Sequence, residues 1–522
     1  MFLRVLKLLI IILCVSIGLE AKQLEVKFIG NASVGISDGK LTVVSDFPYQ
    51  SGYSGYMEYD FEKSKPKGRV LSLITHKHSD HFETLLFEKT DWLVLAPDEI
   101  KLELNKNRRL KMEKIVRFDG VEIQPVSSPH AKIEHYSYLM KWHGKSFFFT
   151  GDTESVEALE FAKDVDVLFI TPWLMRKAER TGTDISAKKI VVYHQAKDEN
   201  VPCGKCYVFK PGESFNILLK DTLQSTSFPV YSKIPVAEPK LFAEGIISTG
   251  NDNDELFPTF SPDGKTIYFV RRRAGGQFTI YRSQLEKSGW TKPEILPFSG
   301  KYSDQETFMS PDGKRLYFTS NRPIDGAAPI AGRDLWFAEL DKKGAWKNPV
   351  HIGYPVSRKP PPKDAENRYL GLALGPFVDM NKTLYFWMYH PENSRAASDI
   401  YLSKFVRGKY TEPENIGEAI NSENYETMPH ISPFGSFMLF SGDNRPGGLG
   451  GEDIYISFFL RGKWAEPKSL GTLVNSSEYD FAPRISPDGK YLFFTSNRNI
   501  EGEGRGKQNI YFVEIQSVFK NL

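Results

Sequence analysis

A four-residue signature governs the second half of this chain. Ser261-Pro262-Asp263-Gly264 returns as Ser310-Pro311-Asp312-Gly313 and as Ser486-Pro487-Asp488-Gly489. Ser432-Pro433-Phe434-Gly435 is a weaker copy, and Gly375-Pro376-Phe377-Val378-Asp379 is the most degenerate. An aromatic-rich stretch follows each one: 266–270, 315–319, 383–387, 437–440 and 491–495. Asp-Gly between apolar runs predicts a hairpin. A third strand is expected at Thr279-Ile280-Tyr281, Asp334-Leu335-Trp336, Asp399-Ile400-Tyr401, Asp453-Ile454-Tyr455 and Asn509-Ile510-Tyr511. A fourth is marked by Trp290, Trp346, Tyr410 and Trp464, each with a proline nearby. Four strands per unit, repeated five times, predict a five-bladed propeller. The last unit ends after its third strand, and Glu238-Pro239-Lys240-Leu241-Phe242 is expected to complete that blade and close the ring.

At 522 residues the chain exceeds one ordinary core, so a second domain is expected. Its centre is Thr75-His76-Lys77-His78-Ser79-Asp80-His81-Phe82. Three imidazoles and a carboxylate follow the apolar run Val70-Leu71-Ser72-Leu73-Ile74, which predicts a buried strand, and Phe82 onward predicts a helix. Neutral imidazole and carboxylate are the ligands a zinc-like dication prefers. A lone histidine is usually a surface or core residue, but this density at a strand end points to metal.

Further strands are expected at 25–29, 41–45, 92–96, 115–118, 121–126, 137–142, 147–150, 165–170 and 190–193, with helical spacing at 154–162 and a helix from Pro97. This alternation predicts an α/β layered domain. Strand ends carry Ser128-Pro129-His130, Gly151-Asp152-Thr153 and His194. Rigid strands can deliver such ligands to one rim. His135, in Glu134-His135-Tyr136, is read as a surface loop residue with substrate contact as the alternative; His143 sits in a hairpin turn. Trp173 and Arg176 are read as loop residues beyond a strand that could line the pocket.

In residues 25 to 216 the chain resembles the metallo-β-lactamase-fold hydrolases. The resemblance rests on His76-x-His78-x-Asp80-His81, then His130, Asp152 and His194. Phe28-Ile29-Gly30-Asn31-Ala32-Ser33-Val34 and Pro211-Gly212-Glu213 are similar to the lactonase-like branch. It implies an αββα sandwich followed here by the all-β propeller. It implies that His76, His78 and His130 hold one divalent metal, that Asp80, His81 and His194 hold a second, and that Asp152 bridges them. Asp80 would also act in catalysis by orienting the hydroxide. Zinc is the default metal, with manganese or iron compatible with the same ligands. His81 sets the second site apart from the cysteine-containing kind. Diiron relatives would carry a carboxylate in place of His78, so a redox role is disfavoured. The short stretch from Asp152 to His194 leaves no room for the inserted domain of the nuclease branch. The second half resembles the TolB-like propellers with Ser-Pro-Asp-Gly repeats, a likeness that fixes architecture rather than function.

Residues 1–21 read as a signal peptide: Arg4 and Lys7 precede the apolar run 8–17, and Leu19-Glu20-Ala21 offers a cleavage point. Leu13 before Cys14 makes a lipid anchor the weaker alternative. The hydrolase domain is assigned to 22–220, a proline-bearing linker to 221–237 and the propeller to 238–522. Cys203 and Cys206 remain after cleavage; a short-loop disulfide is expected, and a redox pair lacks its usual strand-helix context. Net charge is +2 and no long basic run occurs, so nucleic acid is not an expected partner. Asn321-Arg322, Asn444-Arg445 and Asn497-Arg498 are read as hydrogen-bonding within their blades, and Arg358-Lys359-Pro360-Pro361-Pro362-Lys363 as a stiff basic loop.

The chain is therefore read as a periplasmic or secreted dinuclear hydrolase of a lactone, ester or phosphoester. Its propeller would hold a small-molecule or polymer substrate, or a protein partner, near the metals. The rival reading is a propeller-based binding protein on a catalytically silent scaffold. True β-lactam hydrolysis is allowed by the chemistry but indicated by no residue.

Overall fold

Along the first strand apolar side chains alternate with polar ones, so Leu24, Val26 and Phe28 turn to one face and are buried. A computed structural model describes residues 23–50, 59–100, 108–195, 206–209, 212–219, 231–250 (without 233), 253–324, 330–357 (without 331), 373–389 (without 380 and 381), 398–499 (without 433, 434 and 461) and 505–522 (without 521). The expected signal peptide, Cys203, the basic loop 358–363 and most of the linker lie outside the described residues.

The N-terminal strands are β1 (Gln23–Gly30), β2 (Ser33–Ser37), β3 (Leu41–Ser45), β4 (Arg69–Leu73), β5 (Leu93–Leu95), β6 (Val116–Phe118), β7 (Val121–Ser127), β8 (Tyr136–Trp142), β9 (Lys145–Phe149), β10 (Val167–Ile170), β11 (Lys189–Val192), β12 (Cys206–Val208) and β13 (Ser214–Leu218). They form a six-stranded sheet, β13-β1-β2-β3-β4-β5, and a seven-stranded sheet, β12-β11-β10-β9-β8-β7-β6. The core between the sheets joins Val26, Phe28 and Val43 to Phe147, Phe149 and Phe169. The outer faces are covered too. Helices α1 (Phe61–Ser64) and α2 (Thr84–Phe87) lie beside the cluster of Phe47, Val70 and Trp92, and α3 (Pro172–Arg180) packs Leu174 and Met175 on Phe148 and Leu168. The layering is that of the metallo-β-lactamase fold.

Several local expectations change. The segment holding Trp173 and Arg176 is helix α3, not a loop, and Pro172 at its first turn is a pre-organised helix start. Residues Val156–Ala162 are 3-10 rather than α-helix. Helix α2 is a single turn, and the Phe87 carbonyl at its end accepts from Arg108 Nη2 at 3.3 Å. After Pro97 the chain makes turns as far as Ile100, and 101–107 lie outside the described residues. Cys206 is disulfide-bonded. Among the described residues no helix is long and apolar enough to cross a membrane.

The second half forms five blades. Their first strands are Asp254–Phe260, Asp304–Met309, Leu374–Val378, Glu426–Ile431 and Asp480–Ile485. Lys240 pairs with Phe512 and Leu241 with Tyr511, so the start of the domain completes the last blade. The signature is legible in its hydrogen bonds. Ser261 Oγ donates to Asp263 Oδ1 (2.6 Å) and accepts the Thr266 amide (2.9 Å), while Asp263 Oδ1 accepts the Lys265 amide (3.0 Å). The same set recurs at Ser310 and Ser486. In every first strand one residue takes a left-handed conformation at a register shift: Phe257, Glu306, Gly375, Met428 and Ala482. Such bulges sharpen the local twist.

The recurring arginines serve their own blades. Arg271 pairs with Glu255 at 2.8 Å, Arg322 with Asp304 at 2.8 Å, Arg498 with Asp480 at 2.6 Å, and Arg445 with Glu426. Ala373 stands where the third blade would carry this acid.

The described polar contacts between the halves lie at the C-terminal end of α3. Glu179 accepts from Ser432 and Ser436, and Gly182 O accepts from Gln516 Nε2 (2.5 Å) of α4 (Ile515–Phe519). Lys490 lies 3.8 Å from Asp184.

Truncating one member of a buried pair strands its partner's charge. Arg322→Ala is expected to lower unfolding stability by about 3–5 kcal/mol, read as a lower urea midpoint. The double change Arg322→Met with Asp304→Leu should recover most of the loss.

Candidate metal centre

Four strand ends meet at one edge of the sandwich. The turn after β4 carries His76, His78, Asp80 and His81; β7, β9 and β11 are followed by His130, Asp152 and His194. The first turn is tight, because the amides of His81 and Phe82 both donate to His78 O at 2.9 Å. The seven side chains fall into overlapping groups whose ligand atoms lie within 4.8 Å of one another: His76, His78 and His130; Asp80, His81 and His194; and His76, His81 and Asp152.

The distances are those of ligand atoms turned inward. His76 Nε2 lies 3.0 Å from His78 Nδ1, and His81 Nε2 lies 2.9 Å from His194 Nε2. Asp152 Oδ1 lies 3.3 Å from His81 Nε2 and 3.2 Å from His194 Nε2, and its Oδ2 lies 3.9 Å from His76 Nε2. Asp80 Oδ2 is 3.7 Å from His81 Nε2 and 3.6 Å from His194 Nε2. Asp152 thus has one oxygen toward each of the two outer groups. His130 Nδ1 and Asp152 Oδ1 are buried with no hydrogen-bond partner among the described residues, and such orphaned donor atoms fit a cation-binding role.

The electrostatics agree. Burial pushes His76 far below the usual imidazole value, and His130 down as well. Burial works against His81 too, but Asp152 and Asp46 on either side raise it well above that value. Burial would raise Asp152, yet His81 and His194 hold it well below the usual carboxylate range. The centre keeps its carboxylate ionised and holds a positive charge beside it.

The supporting residues were not legible as such. Asp46, fully buried after β3, accepts from the Thr75 amide (2.7 Å), from Thr75 Oγ1 (2.9 Å) and from His81 Nδ1 (3.0 Å). With Nδ1 of His81 so engaged, Nε2 is left for a metal. Thr75 Oγ1 lies 3.0 Å from His76 Nδ1 and fixes that ring as well. Asn31 ties the turn after β4 to His194: its Nδ2 donates to Asp80 O (2.8 Å), and its carbonyl accepts the His194 amide (2.9 Å). The only sequence signal for these was their place, polar residues at the ends of apolar strands.

His135 differs from its reading as a surface or substrate-contacting residue. It is 2% exposed; its Nε2 accepts the Asp152 amide (3.0 Å) and its Nδ1 lies 2.9 Å from Ser128 Oγ. Burial pushes it down to about 3, so it is a neutral prop under the Asp152 turn. Gly151 allows that contact, since a Cβ there would lie 2.5 Å from His135 Nε2 at a backbone φ of +58°. Trp173, in the first turn of α3, meets the His194 ring edge-on with ring centres 5.2 Å apart.

No family model matches the chain. Among solved structures it is similar to Igni18, a novel metallo hydrolase of Ignicoccus hospitalis, at 14% identity over 37% of this chain and 98% of that one, with a TM-score of 0.29. The metallo-β-lactamase fold protein YhfI of Bacillus subtilis is 13% identical over 37% of this chain and 99% of that one, with a TM-score of 0.28. TolB of Acinetobacter baumannii is 16% identical over 49% of this chain and 56% of that one, with a TM-score of 0.31. By its own sheet orders, the chain joins a metallo-β-lactamase-fold sandwich to a five-bladed propeller.

Proposed function

We propose that this protein is an exported, dinuclear metal-dependent hydrolase whose substrate is a lactone or phosphoester, with simple esters in the same chemical range. One observation carries the reading: two groups of ligand atoms stand side by side, with the two oxygens of Asp152 turned one to each. His76, His78 and His130 would hold one cation, and Asp80, His81 and His194 the other. A bound pair of divalent ions supplies Lewis acidity and a water acidified to near neutral pH. The chain's own groups do the rest. Asp152 offsets charge on both sides. Asp80 binds and orients the attacking water. Asp46 and Thr75 keep two imidazoles turned inward, and His135 holds the Asp152 amide. Zinc suits the imidazole-rich set, and manganese or iron would use the same atoms. The propeller would bind a partner or polymer at the periphery, since its described contacts with the sandwich are at the far end of α3 from Trp173.

Purified protein is expected to carry two divalent ions per chain by elemental analysis and to turn over members of a lactone, ester and phosphodiester panel. Asp152→Ala should bring the content to one ion or none. Asp80→Ala should reduce kcat/KM by roughly 10²–10⁴-fold, the range of a lost acid–base or orienting group. A metal-free protein inert toward the whole panel would overturn the proposal in favour of a silent scaffold.

A second outcome follows from His81. Its raised value keeps it protonated at neutral pH in the metal-free protein, which stabilises that form below the usual imidazole value and ceases to as pH climbs through the raised one. Metal must displace that proton, so affinity should increase with pH across the neutral range. Titration calorimetry in buffers of different ionisation enthalpy should find at least one proton released per chain loaded.

A further inference from the structure

The axis of the propeller holds a second, chemically different place. Two positions after each left-handed bulge residue, the first strands present Thr259, Phe308, Phe377, His430 and Arg484 to a cavity of about 520 Å³. The cavity lies between the propeller and the end of α3, and Glu179 and Ile185 form part of its wall. Most of the lining is apolar. Phe308 and Phe377 pack as a tilted pair with ring centres 4.5 Å apart, and Phe377 meets the His430 ring edge-on at 4.8 Å.

Arg484 is the anomaly. It is 2% exposed, and its Nε and Nη2 have no hydrogen-bond partner among the described residues. Nη1 donates to Pro483 O at 2.9 Å, and the guanidinium stands 5.6 Å from the Phe308 ring centre. No carboxylate among the described residues pairs with it. Glu306, whose charge it feels, is engaged by Arg333 at 3.3 Å and by the Gly375 amide at 2.8 Å. Burial lowers the guanidinium to about 10, so it stays charged at neutral pH. A buried cation without an anion is costly, and proteins keep one where something satisfies it.

His430 adds a second donor. Its Nε2 accepts the Ile485 amide at 3.1 Å, so the proton of the neutral ring sits on Nδ1, which is buried without a partner among the described residues. Burial and the neighbouring Arg484 keep this imidazole from taking a second proton. The carboxylates around the cavity are half-buried or exposed and are engaged elsewhere. Glu179 is held by Ser432 and Ser436, Asp184 by Lys490, Asp379 by the Thr383 amide, Asp488 by Ser486 and Glu514 by the Val236 amide.

We propose that this axial cavity binds an organic carboxylate with an apolar body, the carboxylate on Arg484 and His430 and the body against Phe308 and Phe377. The size is that of a small-molecule pocket, apolar with a few convergent polar groups. Guanidinium and carboxylate match in charge and fork geometry. The site stands apart from the metal centre and does not depend on it.

The test uses the full-length, metal-loaded protein and three probes: 4-fluorophenylacetate, its neutral amide, and acetyl-glycyl-phenylalanine as a peptide C-terminus. Binding is followed by ¹⁹F NMR and calorimetry. The free acid, the peptide acid or both should bind, and whichever binds more tightly identifies the source. The neutral amide should bind at least about tenfold more weakly than the acid. Arg484→Met should weaken acid binding by a similar factor; it replaces an unpaired buried cation with an apolar chain of similar length, a change that cores accept. Equal binding of acid and amide by the wild-type protein overturns the proposal without reliance on any variant. So does acid binding unchanged in Arg484→Met, the pattern of a probe seated on the metal centre, or no binding at millimolar concentration.

Discussion

Two imidazole nitrogens turned toward each other at 2.9 Å, as His81 Nε2 and His194 Nε2 are, cannot both present bare lone pairs. A cation or a proton must lie between them, and the edge of the sandwich is arranged to keep that demand in place. Asp152 reinforces it from one side, and Asp46 and Thr75 keep the His81 and His76 rings from swinging away. The backbone is held in costly conformations to do this. Asn31, Asp46, Ala131 and His194 all have positive φ, between 44° and 56°. Left-handed non-glycine residues cost ~1–3 kcal/mol each and persist where surrounding structure over-determines them. All four lie at or beside strand ends that feed the centre, and the two-sheet core behind them is what offsets the strain.

The propeller solves a different problem with repetition. Three blades close the hairpin after their first strand with backbone amides donating to serine and aspartate side chains, and four of the five anchor an arginine on a buried acid. The third blade lacks the acid, Ala373 being in its place, and its Ser-Pro-Asp-Gly copy is also the most degenerate. Both losses fall on one unit, and the ring still closes because Lys240 and Leu241 pair with the final strand. Closure by pairing of the two ends makes all five blades one cooperative unit, which lets one of them be irregular.

Much of this was written locally in the chain. The Ser-Pro-Asp-Gly turns were legible because the bonds that explain them span only two to five residues. The candidate ligands His76, His78, Asp80, His81, His130, Asp152 and His194 stood out because they cluster where apolar runs end. What stayed hidden is what distance along the chain conceals. Asp46 acts on residues 29 and more positions away, and His135 looked like loop because its burial comes from Asp152 and Ser128 arriving from other strands. Strand β12 offers no alternation to read, its three residues being half-buried alike. Helix α3 was obscured by its brevity, although Pro172 after Thr171 is a helix-start signal. Arg484 looked like any strand arginine, since nothing local distinguishes a cation facing solvent from one facing a ring axis.

Helix α3 connects the two halves of the chain. Nine residues of helix span about 13 Å. One end sets Trp173 against His194, and the other sets Glu179 between Ser432 and Ser436. Its middle is fixed by Leu174, Met175 and Ala178, all fully buried on the second sheet. A rod held at both ends and along one face cannot slide by a fraction of a turn without opening that core, because close-packed interiors shift between discrete arrangements rather than deforming smoothly. The propeller therefore sits at a fixed remove from the metal-ligand edge, with the axial cavity at one end of the helix and the imidazole cluster at the other. That separation keeps the edge that would receive a substrate clear of the described contacts between the halves, and it leaves the apolar, cationic pocket free to have a chemistry of its own.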